Sequence, residues 1–138
     1  MDMKDTERRE FFRVEVVSPI KFKLIQEKGS KSLTDWIKGI TTDVSLGGVK
    51  IAADMSEDEA ETLVRQYVRI KLSFKLPGTT KAVTATASIA YFLRGAMESK
   101  SHTITFGVSF VKIDSDAEDI ISEFIHKRID SPAKPQVD

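Results

Sequence analysis

From Val14 onward, Val14, Val16, Ile20, Phe22 and Leu24 share one parity while Glu15, Lys21 and Lys23 take the other, a period of two that predicts a half-buried strand. Pro19 interrupts it. A proline donates nothing to a ladder, so an edge position or a bulge is expected near Ser18 and Pro19. Residues 26–36, QEKGSKSLTDW, form a polar loop, and WIKGITTDVSLGGVKIAA divides into two strands around the LGG turn. YVRIKLSFKL, 67–76, alternates strictly through Val68, Ile70, Leu72, Phe74 and Leu76 before Pro77-Gly78 turns the chain. KAVTATASIAYFLRG puts Val83, Ala85, Ala87, Ile89, Tyr91 and Leu93 on one core-facing parity. HTITFGVSFVKI does the same with Ile104, Phe106, Val108 and Phe110.

Two segments have helical character. Ser56 with Glu59 three residues on is a capping-box signature for a short helix in SEDEAETLVRQ. Ser115 with Glu118 repeats the signature ahead of Ile120, Ile121, Phe124, Ile125 and Ile129, whose spacing predicts an amphipathic helix covering the sheet. SPAKPQVD then trails off as a loose tail. Short strands joined by turns pair antiparallel, and closure removes exposed edges, so the pattern predicts a mainly β fold: a β-barrel with a C-terminal α-helix and a short additional helix.

Composition narrows the function. At 138 residues the chain suits one domain, and 41% hydrophobic with 30% charged residues is ordinary for a globular one. The absence of cysteine removes disulfides, thiolate nucleophiles and Cys-containing zinc sites. Twenty-one basic and twenty-one acidic residues cancel, which argues against a protein that coats a nucleic acid polymer. No apolar run is long enough to span a bilayer, so no membrane insertion is expected and a cytoplasmic location follows.

The case for catalysis is weak. His102 and His126 have no metal spacing or nucleophile partner, and the pairs Asp58 with Glu59 and Glu118 with Asp119 sit where helix first turns favour negative charge. Neither a GxxxxGKS nor a GxGxxG segment is present. The chemistry that remains is binding, with no enzyme activity, no metal and no cofactor expected.

Two motifs carry it. RREFFR, 8–13, places Arg9 and Arg13 as RxxxR with Arg8 directly ahead. A guanidinium is a planar fork that pairs with phosphate or with the O6/N7 edge of guanine and stacks on purines. By itself the cluster equally suits a solvated arm whose arginines pair with Asp5, Glu7 and Glu10. DVSLGG, 43–48, is a DxSxxG in which Asp43 can accept from guanine N1–H and N2–H, Ser45 offers a small donor and acceptor, and Gly47 and Gly48 allow close backbone approach. By itself it equally suits a plain tight turn. Together they describe a pocket for a guanine-containing phosphate ligand.

In this order and separation the motifs, with YVRIKLSFKL, ASIAYFL and FGVSFVKI before a helix, resemble a PilZ domain over roughly residues 7–129. The resemblance implies a PilZ-like six-stranded antiparallel barrel that receives cyclic di-GMP. By position, Arg9 and Arg13 hold guanine and phosphate groups, Asp43 and Ser45 meet a guanine edge, and Gly47 and Gly48 keep the backbone close. Arg8 fits an RRxxxR variant associated with two stacked ligand molecules. The expected layout is a flexible arm over 1–7, the domain over 8–129 and a flexible tail over 130–138. Ligand would order the arm and so regulate a separate, unidentified effector protein in motility, pili or exopolysaccharide production. The alternatives are a PilZ-like scaffold that binds protein without nucleotide, and a barrel for single-stranded nucleic acid, which the neutral charge and core-facing aromatics disfavour.

Overall fold

The computed structural model describes residues 13–65, 67–93 and 103–130. Its order is β1 (Val14–Gln26), β2 (Ile37–Val44), β3 (Gly48–Asp54), α1 (Glu57–Leu63), β4 (Val68–Phe74), β5 (Val83–Phe92), β6 (Thr103–Ile113) and α2 (Ser115–Asp130). Every neighbouring pair is antiparallel, and the ring β1-β2-β3-β6-β5-β4 closes on itself. Closure consumes both edges that an open sheet of these strands would expose.

β1 explains its own proline. Its ladder with β4 starts at Ile20↔Phe74, so Pro19, one residue earlier, costs that ladder nothing. On the β2 side the pairing runs from Glu15↔Asp43 to Ser18↔Thr41, three steps against two, which places the expected bulge in β1 just before Pro19. The Ser18 hydroxyl fastens it by donating to the Lys75 carbonyl. β2 carries a bulge of its own, because Thr41↔Ile51 and Asp43↔Lys50 leave Thr42 without an opposite residue on β3.

The inward parity of all six strands fills the barrel. Phe22, Leu24, Ile51, Ile70, Leu72 and Phe106 are completely buried, with the Phe22 and Phe106 rings edge to face at 5.7 Å. α2 closes one side through Ala117, Ile121 and Ile125, flanked by half-buried Ile120 and Phe124. Ile129 of the predicted stripe is 42% exposed and outside that contact.

Two sequence expectations change. The helix α2 is capped not by Ser115 but by Asp114, whose Oδ1 accepts from the Ala117 N–H at 2.9 Å. α1 does carry its capping box: Ser56 Oγ accepts from Glu59 N–H at 3.1 Å, and the Glu59 carboxylate accepts from Ser56 N–H at 2.9 Å. The second change is in β5. Ile89↔Val108 followed by Tyr91↔Gly107 spends two residues of β5 on one of β6, so a bulge at Ala90 reverses the parity beyond it. Tyr91 and Leu93 therefore leave the core-facing set, and Phe92 packs inward against Phe106 instead, with ring centroids 6.3 Å apart.

Candidate functional site

The turn between β2 and β3 is built by Ser45. Its Oγ accepts from the N–H groups of Gly47 at 3.1 Å and Gly48 at 3.2 Å, and its N–H donates to the Gly48 carbonyl at 2.9 Å. The side chain is thus committed to the turn that presents the motif, the plain reading that the sequence left open. The Phe110 N–H then donates to the Gly47 carbonyl at 2.8 Å and ties the turn to β6. Gly48 is demanded by that approach. A Cβ at this position would stand 1.9 Å from the Val108 carbonyl oxygen, backbone against backbone, so its glycine is explained by strand packing.

The tight turn fixes the hairpin register at Val44↔Val49 and Asp43↔Lys50. The two outward side chains meet as an ion pair, Lys50 Nζ to Asp43 Oδ2 at 3.0 Å, with the carboxylate side chain only 13% exposed. The pairing satisfies a nearly buried carboxylate that would otherwise oppose Glu15 across the β1–β2 ladder. Oδ1 has no hydrogen-bond partner among the described residues.

The same row continues around the barrel through Lys50↔Gly107 and Gly107↔Tyr91. A side chain at Gly107 would collide with the Tyr91 ring, 2.3 Å from the nearest ring carbon, so the glycine is the recess that lets the phenol lie flat across β6. Arg13, at the mouth of β1, reaches over to this ring and donates from Nη1 to the Tyr91 hydroxyl at 3.4 Å. Arg13 of the first motif and the whole of the second, thirty residues on, are thus brought to one outer face, along with a tyrosine from β5.

The face is concave. A cleft of about 710 Å³ is lined by Arg13, Asp43, Ser45, Gly47 and Gly48, with Lys50 and Tyr91 beside them. This falls within the roughly 300–1,000 Å³ usual for small-ligand sites. Its charged lining is Arg13, Lys50 and Lys112 against Asp43 and Glu118, so a locally cationic cleft exists on a neutral chain. Arg8 and Arg9 lie outside the described residues. Sequence reasoning missed Lys50 and Tyr91. Lys50 was recoverable by counting register back from a four-residue turn, whereas Tyr91 was hidden by the Ala90 bulge.

A planar fork, an ammonium, an almost buried carboxylate and a flat aromatic ring suit a ligand that is anionic and has a planar, hydrogen-bonding ring. Among the described residues no cluster of three or more metal-ligating side chains occurs. Fold and site together define a closed-barrel domain with a cleft on its outer wall. The PilZ domain family model matches residues 7–127, and the chain belongs to that family.

Solved structures agree on the fold. The Bacillus subtilis inhibitor of motility MotI/DgrA superposes with a TM-score of 0.61 at 16% identity, covering 90% of this chain and 53% of that one. The PilZ domain of YcgR from Escherichia coli, solved with c-di-GMP, gives 0.55 at 14% identity over 93% of this chain and 96% of that one. MrkH, described as a c-di-GMP-dependent transcription regulatory factor, gives 0.56 at 13% identity, covering 86% and 50%. The chain therefore spans about half the length of MotI/DgrA and of MrkH. No curated protein matches it.

Proposed function

We propose that this domain is a non-enzymatic receptor for cyclic di-GMP. One observation carries the reading: Arg13 of the first motif and Asp43, Ser45, Gly47 and Gly48 of the second line a single cleft. Membership of the PilZ family and the likeness to a PilZ domain solved with c-di-GMP support it. In this reading Arg9 and Arg13 fork onto phosphate and guanine groups, and Arg8 adds a third guanidinium that favours a stacked pair of ligands. Asp43 accepts from the guanine N1–H and N2–H. Ser45 holds the turn that sets Asp43 in place, and Gly47 and Gly48 keep the floor of the cleft low.

The segment ahead of Arg13 supplies the signal. Ordering it costs about 1–2 kcal/mol per residue in backbone entropy, which the charge-assisted contacts must exceed, so the arm closes only over an occupied cleft. Its closed form presents a surface for a separate effector protein in motility, pili or exopolysaccharide production.

Calorimetric titration of cyclic di-GMP into wild type, Arg9→Ala and Arg13→Ala, with GTP as control, tests the reading. Each substitution removes a charge-assisted bond of about 1.5–3 kcal/mol, so each variant loses about tenfold or more in affinity. A ratio of two ligands per chain in wild type, reduced to one in Arg8→Ala, is the outcome expected for Arg8. Wild-type protein that takes up no cyclic di-GMP would leave the PilZ-like protein scaffold as the reading.

A further inference from the structure

Across the ring from the cleft, the outer wall of β4, β1 and β2 is lined by lysine. Lys21 stands directly opposite Lys38 on β2, and Lys23 directly opposite Lys71 on β4. None of the four has a carboxylate within ion-pair distance among the described residues. Like charges in facing register destabilise a sheet, so this arrangement works against the free protein, and a facing anion would relieve it.

Three further features describe that anion. The wall is also apolar: Trp36 and Ile40 are each 41% exposed and Val17 is 70% exposed. The Lys21 and Lys23 ammoniums sit over the Trp36 ring, 5.0 and 4.8 Å from its centroid. The wall's cations are lysines, and the neighbouring arginine, Arg69, is held by Glu27 at 3.1 Å. Lysine is a point charge without a directional fork, suited to a diffuse anionic surface; the cleft on the other side adds to Lys50 and Lys112 the planar fork of Arg13, suited to a defined ligand. Neither of the two main clefts includes any of these residues. A docked peptide wants a groove or an open strand edge, and the closed barrel offers no edge here. A single strand of nucleic acid wants a row of exposed ring faces along a groove, and among the described residues the one exposed ring beside these lysines is Trp36.

We propose that the β4–β1–β2 wall, with Lys21, Lys23, Lys38 and Lys71 around Trp36 and Ile40, is a peripheral docking surface for an anionic lipid bilayer. Such a surface recognises charge density rather than shape, and a tryptophan settles at its headgroup level. Because β1 and β4 lie opposite β6 and β3 in the ring, and Lys38 and Ile40 sit at the other end of β2 from Asp43, docking leaves the β3–β6 side of the cleft facing water.

Co-sedimentation with vesicles of phosphatidylcholine, alone or with about 30% phosphatidylglycerol, tests this, because juxtamembrane lysines are each worth about 1 kcal/mol against anionic lipid. Wild type pellets with the anionic vesicles only, and raising salt to about 0.5 M releases it, since the Debye length then falls well below its physiological value. The triple variant Lys21→Gln, Lys23→Gln, Lys38→Gln loses about 100-fold in partitioning, and Lys71→Gln alone about fivefold. Lys81→Gln, in the β4–β5 connection off the wall, partitions like wild type. A melting temperature of the triple variant at or above that of wild type establishes that it is folded; should it not fold, Lys71→Gln decides. Equal pelleting with both vesicles, or variants that partition like wild type, would overturn the proposal. So would tighter binding of a poly-glutamate peptide or an oligothymidylate than of the anionic vesicles, which would assign the wall to protein or nucleic acid.

Discussion

Gly48 illustrates how a motif residue can be legible while its reason is not. Two glycines after DVSL announce a turn near a ligand; the distance of 1.9 Å from a would-be Cβ to the Val108 carbonyl shows that the second serves the β3–β6 ladder. Gly48→Ala should therefore lower stability by about 3 kcal/mol, because backbone, unlike the tip of a side chain, cannot yield. Chemical denaturation checks this without any ligand, and a loss under about 1 kcal/mol would mean that β6 shifts to accommodate the methyl. Ser45 teaches the same lesson, since its hydroxyl accepts from two turn N–H groups. Asp43 was legible as an acceptor, but its partner Lys50 belongs to a register that begins only after the turn is known. Arg13 was legible as a cation; that it meets Tyr91, seventy-eight residues away, was not.

At the scale of elements, period-two alternation located the strands, and a bulge is where it fails. Ala90 adds one residue to β5 and turns Tyr91 outward, Phe92 inward. Its neighbours Ile89 and Tyr91 give the sequence no mark of it, because a bulge is chosen by the partner strand as much as by its own. Pro19 did leave such a mark, through its missing donor. Helix starts show a comparable contrast. Ser56 and Glu59 form the box the sequence announces, while in α2 the same spelling lies one residue late and Asp114 does the capping. Asp114→Ala should then cost about 1 kcal/mol in thermal or denaturant stability and Ser115→Ala only a few tenths. Equal losses would return the cap to Ser115. α2 is also tied to the strand that leads to the cleft, since Arg128 Nη1 donates to the Glu15 carbonyl at 3.3 Å while its guanidinium covers Phe124.

Across the whole molecule, charge that sums to zero is sorted by barrel closure into a cleft of mixed charge around Arg13 and Asp43 on one side and a lysine wall on the other. The receptor reading has a consequence at this scale. A ligand that binds the folded state alone stabilises it by about 2.7 kcal/mol at a hundredfold excess over its dissociation constant, about 10 °C in melting temperature for a domain of this size. Differential scanning fluorimetry with cyclic di-GMP should show that shift in wild type and lose most of it in Arg13→Ala. No shift at saturating ligand would contradict binding to the native barrel. Among the described residues no helix is long and apolar enough to cross a membrane.

The sequence by itself determined the strands, both helices, the antiparallel barrel and the two motifs, because periodicity, turn residues and side-chain chemistry are local properties of the chain. Tertiary structure decided which wall each outward residue joins. Lys50 beside Asp43, Tyr91 over Gly107 and four lysines around one tryptophan depend on register, bulges and ring order, and these are settled only when six strands close on a single core.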